Sequence, residues 1–140
     1  MQPNFSELSA LDAALLDKQR ELVAREIAAR YQAKLARTKA DLVLLQRLLD
    51  DAVFKPPQTF ELQSLGVVFG DVVAAETGLH WVMVTDEYGT DPTLVRGKSS
   101  LQVNTLTMIS KRVERGEKID VGDLFTRVAD SVRTNPTDVR

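Results

Sequence analysis

The 140-residue chain reads as an α+β fold, with an N-terminal helical pair, a central apolar helix, a three-stranded antiparallel meander and two C-terminal helices. Three observations predict it. Residues 6–53 hold neither glycine nor proline and are rich in Ala, Leu, Arg, Gln and Glu, all good helix formers. Residues 60–77 are apolar around most of a helical cylinder, as in a helix covered on several sides. Residues 79–104 switch to short apolar runs broken at Asp86-Glu87-Tyr88-Gly89 and Gly97-Lys98, both turn-forming stretches.

Taken in order, the first helix is expected over 9–37, with Leu8, Leu11, Leu15 and Leu22 along one face. The apolar positions then drift round the cylinder to Ile27, Tyr31 and Leu35, and on to Leu42, Leu45, Leu49 and Val53. One straight helix does not suit that drift. Thr38-Lys39-Ala40-Asp41 resembles a capping box, so a second helix is expected over 39–53. Glu21 with Arg25 and Glu26 with Arg30 are pairs four residues apart that mark a solvated face. Lys55-Pro56-Pro57-Gln58 breaks the helix, Thr59 is the expected cap of the third, and Gly78 its stop. Gly66 and Gly70 lie one turn apart, where another backbone can approach closely. Residues 79–84 read as a strand buried on both faces. Residues 93–96 and 99–104 complete the meander. Asn104 or Thr105 is expected to cap a fourth helix ending near Arg115 and Gly116. A fifth begins at Asp120-Val121-Gly122-Asp123 and stops at Asn135-Pro136. The length makes one domain, 1–140: a helical N-terminal arm over 1–54 and an α+β core over 58–134.

Composition narrows the classes. Hydrophobic residues make up 44%, charged residues 27%, and the net charge is −2. Residues 1–54 carry eight basic and eight acidic side chains, and residues 55–140 carry ten and twelve. Neither half offers the basic field that nucleic-acid binding needs. Without cysteine there is no disulfide, thiolate metal site or cysteine nucleophile. With no signal-like start and no run of about 20 apolar residues, a cytoplasmic protein off the membrane is expected.

Five segments occur together: Leu65-Gly66, Gly70-Asp71, Trp81, Asp86-Glu87-Tyr88-Gly89 and Met108-Ile109-Ser110-Lys111-Arg112. In that order and spacing they resemble a family of small bacterial proteins known as a domain of unknown function. The resemblance covers residues 58–128 and implies a structural unit there. It implies no activity, cofactor or catalytic residue.

Candidate chemistry is sparse. Asp86, Glu87 and Asp91 crowd one turn and could hold a hard cation, but acids are common in turns and the EF-hand spacing is absent. His80 is the only histidine, with no serine elbow or second histidine to complete a hydrolase or zinc site; a packed or capping side chain is its ordinary role. Ser110 and Lys111 are helix neighbours and do not face each other. Lys111, Arg112 and Arg115, with Lys118 beyond them, form a basic face, which is either simply solvated, paired with the acidic turn, or a docking patch. No catalytic residue, cofactor or metal is assigned. The preferred reading is a non-catalytic protein-binding module, of the bacterial immunity or inhibitor type, blocking a toxin-like effector. Its expected contacts are Lys111, Arg112, Arg115, Asp86, Glu87 and Asp91. The alternatives are a small hydrolase-like enzyme using the acidic turn with His80 or Lys111, and a ligand-binding domain with an apolar pocket near Trp81. A homodimer through the N-terminal helices stays open, although Lys18 and Arg25 interrupt a continuing heptad.

Overall fold

A computed structural model describes residues 2–97 and 99–134, and so leaves Lys98 and the stop at Asn135-Pro136 outside the described residues. The elements are β1 (Asn4–Ser6), α1 (Ala10–Tyr31), α2 (Ala40–Asp50), α3 (Thr59–Thr77), β2 (His80–Asp86), β3 (Gly89–Val95), β4 (Gln102–Val103), α4 (Met108–Glu114) and α5 (Val121–Thr134). The strands form an antiparallel sheet in the order β1-β2-β3-β4. The fold is α+β, with one strand more than the expected meander. The extra strand, β1, has three residues and none is buried, so it carries no alternation to read.

Helix α3 is the centre of the molecule. Leu62 and every residue from Ser64 to Val73 are buried, and the helix touches α1, α2, α4 and α5. Phe69 is fully buried and meets Phe125 of α5 edge-to-face, with ring centroids 6.5 Å apart. The glycine pair explains the close packing. A methyl group on Gly66 would overlap the Leu106 carbonyl oxygen and lie 2.6 Å from that of Thr105. One on Gly70 would lie 2.5 Å from Cζ2 of Trp81. Side chains on α1 and α2 (Val23, Ile27, Leu45 and Leu48) belong to the same buried cluster as α3 and α5.

The N-terminal helices depart from expectation in three ways. The capping box lies at Ser9 and Asp12, each side chain bonded to the other's backbone N–H. At the expected Thr38 position the hydroxyl accepts the Ala40 N–H at 3.3 Å, but Asp41 does not complete the box: α2 begins after Lys39, and Asp41 turns back to accept from the N–H groups of Ala36 and Arg37 at 2.9 and 2.8 Å. That carboxylate holds residues 32–39 out of the helix, so α1 ends at Tyr31 with Gln32 in the left-handed region, not at Arg37. Finally, α1 buries Leu16, Gln19, Val23 and Ile27, whereas Leu11 and Leu15 are 84% and 52% exposed. Both stripes are helically spaced; docking on α3 selects the one that contains a glutamine.

Strand β2 is half-covered rather than buried on both faces: Val82 and Val84 are buried and His80 is exposed. Its hairpin to β3 closes on Asp86↔Gly89, with Asp86 accepting the Tyr88 N–H at 2.8 Å. The strand therefore resumes before Asp91-Pro92. Proline is tolerated opposite Met83 because β4 pairs only with Leu94 and Val95 and stops short of it. Gln58, not Thr59, flanks the start of α3; Gly78 closes it at φ 79°. Helix α4 starts after Thr107, so neither Asn104 nor Thr105 caps it. Asp120 caps α5 by accepting the Asp123 N–H at 2.9 Å.

Candidate functional site

Two polar features sit where α1, α3 and the sheet meet. The first is a network. Asp71 on α3 accepts Nε and Nη2 of Arg20 at 2.7 and 2.9 Å, and also accepts Nε1 of Trp81 at 3.0 Å. Asp71 is buried, and its hydrogen bond raises the pKa of Arg20 above an already high ordinary value, so the guanidinium stays charged. Beside it, the buried Thr105 hydroxyl oxygen packs against Gly70 without a hydrogen-bond partner among the described residues. The three bonds to the Asp71 carboxylate tie α1, α3 and β2 together. The network is a structural pin.

The second feature is an open cleft of about 200 Å³ between α1, the start of α3 and the hairpin end of β2–β3. Leu16, Met83, Pro92 and Leu106 supply apolar wall, and the half-exposed Leu15 and Phe60 stand at its edge. Gln19, Gln63, Asp12, Thr90 and Asp91 also line it. Gln19 is only 4% exposed, and its side-chain amide makes no hydrogen bond among the described residues. Sequence reading missed this residue because a glutamine on a helix scores as solvated; its only signal was its place in step with Leu16, Val23 and Ile27. Met83 lies two residues from Trp81 on the same strand and face, but Trp81 itself is not in the lining of this cleft.

The six residues picked from the sequence are dispersed. Asp91 lines the cleft. Asp86 stands at the hairpin end and Glu87 is exposed in its turn. Lys111 and Arg115 are exposed on and just after α4, while Arg112 folds back to donate to the Met108 carbonyl at 2.8 Å. Arg115 pairs with Glu117 at 3.4 Å, and among the described residues no ion pair joins this basic face to the acidic turn. His80 and Asp86 occupy opposite ends of β2, roughly 20 Å apart at strand rise, so they share no site. Asp86, Glu87 and Asp91 do not converge as ligands: among the described residues no three acid or histidine side chains do.

A larger groove, about 580 Å³, opens between the end of α2 and the α4–α5 loop, with Phe54, Val113 and Ile119 in its walls and Lys118 at its side. None of the polar residues in its lining is buried, whereas Gln19 in the smaller cleft is, so the smaller cleft is the better candidate. Among the described residues no helix is long and apolar enough to cross a membrane.

Comparison with known proteins adds fold and family. No curated protein matches the chain. A crystal structure at 1.50 Å from Bacteroides thetaiotaomicron VPI-5482 is similar, with a TM-score of 0.83 and 14% identity over 93% of this chain and 48% of that one. The chain thus spans about half the length of that protein, and the likeness is one of fold. A family model described as "Domain of unknown function (DUF3806)" matches residues 41–125, taking in α2 as well as the expected core, and the chain belongs to that family.

Proposed function

We propose that the chain is a non-catalytic, cytoplasmic protein-binding module of bacterial type whose cleft between α1, α3 and the β2–β3 hairpin receives its partner. The observation that carries this is the pair Leu15 and Phe60, 52% and 40% exposed, standing together at the edge of an apolar cleft. Single exposed apolar residues are ordinary, whereas neighbouring ones bordering a concavity mark an interaction surface. Leu11, one turn before Leu15, extends the strip along α1. Of the charged residues first considered, Asp91 belongs to this surface; Asp86 and Glu87 flank it at the hairpin end. The finer reading, an immunity or inhibitor protein that masks a toxin-like effector, rests on a surface suited to one protein partner.

The test is capture from the source bacterium by the wild-type chain and by Leu15→Glu, Phe60→Glu and, as a control on a remote exposed apolar residue, Val43→Glu. A stoichiometric partner held by wild type and Val43→Glu but lost by both cleft variants is expected. Equal capture by all four chains, or no stoichiometric partner, would overturn the reading. A homodimer through the N-terminal helices would use the same α1 strip and would appear as a dimer of the purified chain in sedimentation.

A further inference from the structure

Resting on that reading of the cleft, we propose that its ligand is an extended peptide segment of the partner, bearing one apolar side chain next to a lysine or arginine. Three independent properties of the cleft lead there. The first is Gln19. A carboxamide carries both a donor and an acceptor, the complement of a peptide bond's C=O and N–H. Gln19 is 4% exposed as a residue, yet its amide atoms still reach the open cleft and bond no described residue, so its donor and acceptor are available to a ligand there. Gln63, half-buried on the α3 side of the same cleft, supplies a second amide.

Size is the second property. A volume of about 200 Å³ is below the roughly 300–1,000 Å³ of sites that enclose whole small molecules. It suits one side chain with its backbone lying across the mouth. Leu16, Met83 and Leu106 make the wall that chain would touch.

The third property is charge. Asp12 and Asp91 line the cleft, and no lysine, arginine or histidine does. One Asp12 oxygen accepts the Ser9 N–H, and Asp91 forms no ion pair among the described residues. A cation beside the apolar anchor is therefore favoured, and a carboxylate there is disfavoured, by the field at the mouth.

The test is an NMR titration of the full chain, following the Met83 methyl and the Gln19 side-chain NH₂. The probes are acetyl-Ala-Lys-Leu-Lys-Ala-amide, its Glu-flanked counterpart and N-acetyl-leucine amide. The lysine peptide is expected to shift both signals saturably and to bind about tenfold more tightly than the glutamate peptide. Gln19→Leu, with an otherwise wild-type spectrum, should weaken it by about tenfold. Asp91→Asn, at an exposed position, should narrow the lysine preference. Equal binding of both peptides, or no effect of Gln19→Leu, would overturn the proposal while leaving the protein-binding reading to its own capture test. N-acetyl-leucine amide binding as tightly as the peptide would also overturn it, in favour of a small-molecule site. If no probe moves Met83 the proposal falls, and retention or loss of a captured partner by Leu15→Glu then decides separately whether the cleft binds protein at all.

Discussion

Arg20 on α1 and Asp71 on α3 meet through two parallel hydrogen bonds of 2.7 and 2.9 Å, fifty-one positions apart in the chain. The same carboxylate accepts the Trp81 indole N–H, so three elements share one buried acid. Removing one partner is worse than removing both, because the survivor is left charged and partly buried. Asp71→Ala is expected to cost about 3 kcal/mol in urea unfolding. The Arg20→Met, Asp71→Leu double variant should recover most of that loss; additive losses would show that the pair is not coupled.

Gly70 allows the indole of Trp81 to lie against the backbone of α3. Gly70→Ala places a methyl 2.5 Å from the ring and against Thr105, which forces α3 and β2 apart. A loss of about 3 kcal/mol is expected, despite alanine's better helix propensity. Gly122→Ala is the control: the neighbour its methyl would meet is the Asp120 side chain at 3.6 Å, so it should be close to neutral. Thermal melts of the two variants compare them directly.

Tyr31 closes α1 against Asp51 through a 2.6 Å hydrogen bond, with the Arg47 guanidinium 3.9 Å from its ring centroid. Burial first, and then the bond to Asp51, raise its pKa above the ordinary value of 10.0. An unfolded tyrosine releases its proton near pH 10 while the folded one still holds it. The stabilisation is therefore fully present below that pH and is lost as pH rises through the folded pKa. Urea midpoints measured from pH 8 to 11 should fall at the alkaline end, and Tyr31→Phe should flatten that fall.

Gln19→Leu separates a binding role from a structural one. The residue is mostly buried and has no hydrogen bond among the described residues, so replacing its cleft-facing amide with an apolar side chain breaks no hydrogen bond within the fold. Stability is expected to rise by about 1 kcal/mol. A destabilisation of similar size in chemical denaturation would mean that the amide supports the fold.

Much of the molecule is legible from local pattern. Residues 60–77 show their central position because a helix covered on several sides has to be apolar on several sides. Gly66 and Gly70 announce a close contact because glycine has no other reason to sit inside a helix. Gly78 and Gly97 mark a helix end and a turn through their left-handed backbone. β1 was not legible, since three exposed residues owe their extended form to Met83, Val84 and Thr85 across the ladder. Nor was the break after Tyr31, which depends on which way the Asp41 carboxylate turns.

What the sequence by itself determined is the α+β class, the order of the main elements and the α3 core, because periodicity and turn chemistry act over a few neighbouring residues. Only the tertiary structure decided which leucine stripe of α1 faces water, that Asp71 joins Arg20 to Trp81, and that Gln19 lines a cleft. Those depend on side chains brought together from distant positions, and two helically spaced stripes on one helix look alike until another surface selects between them.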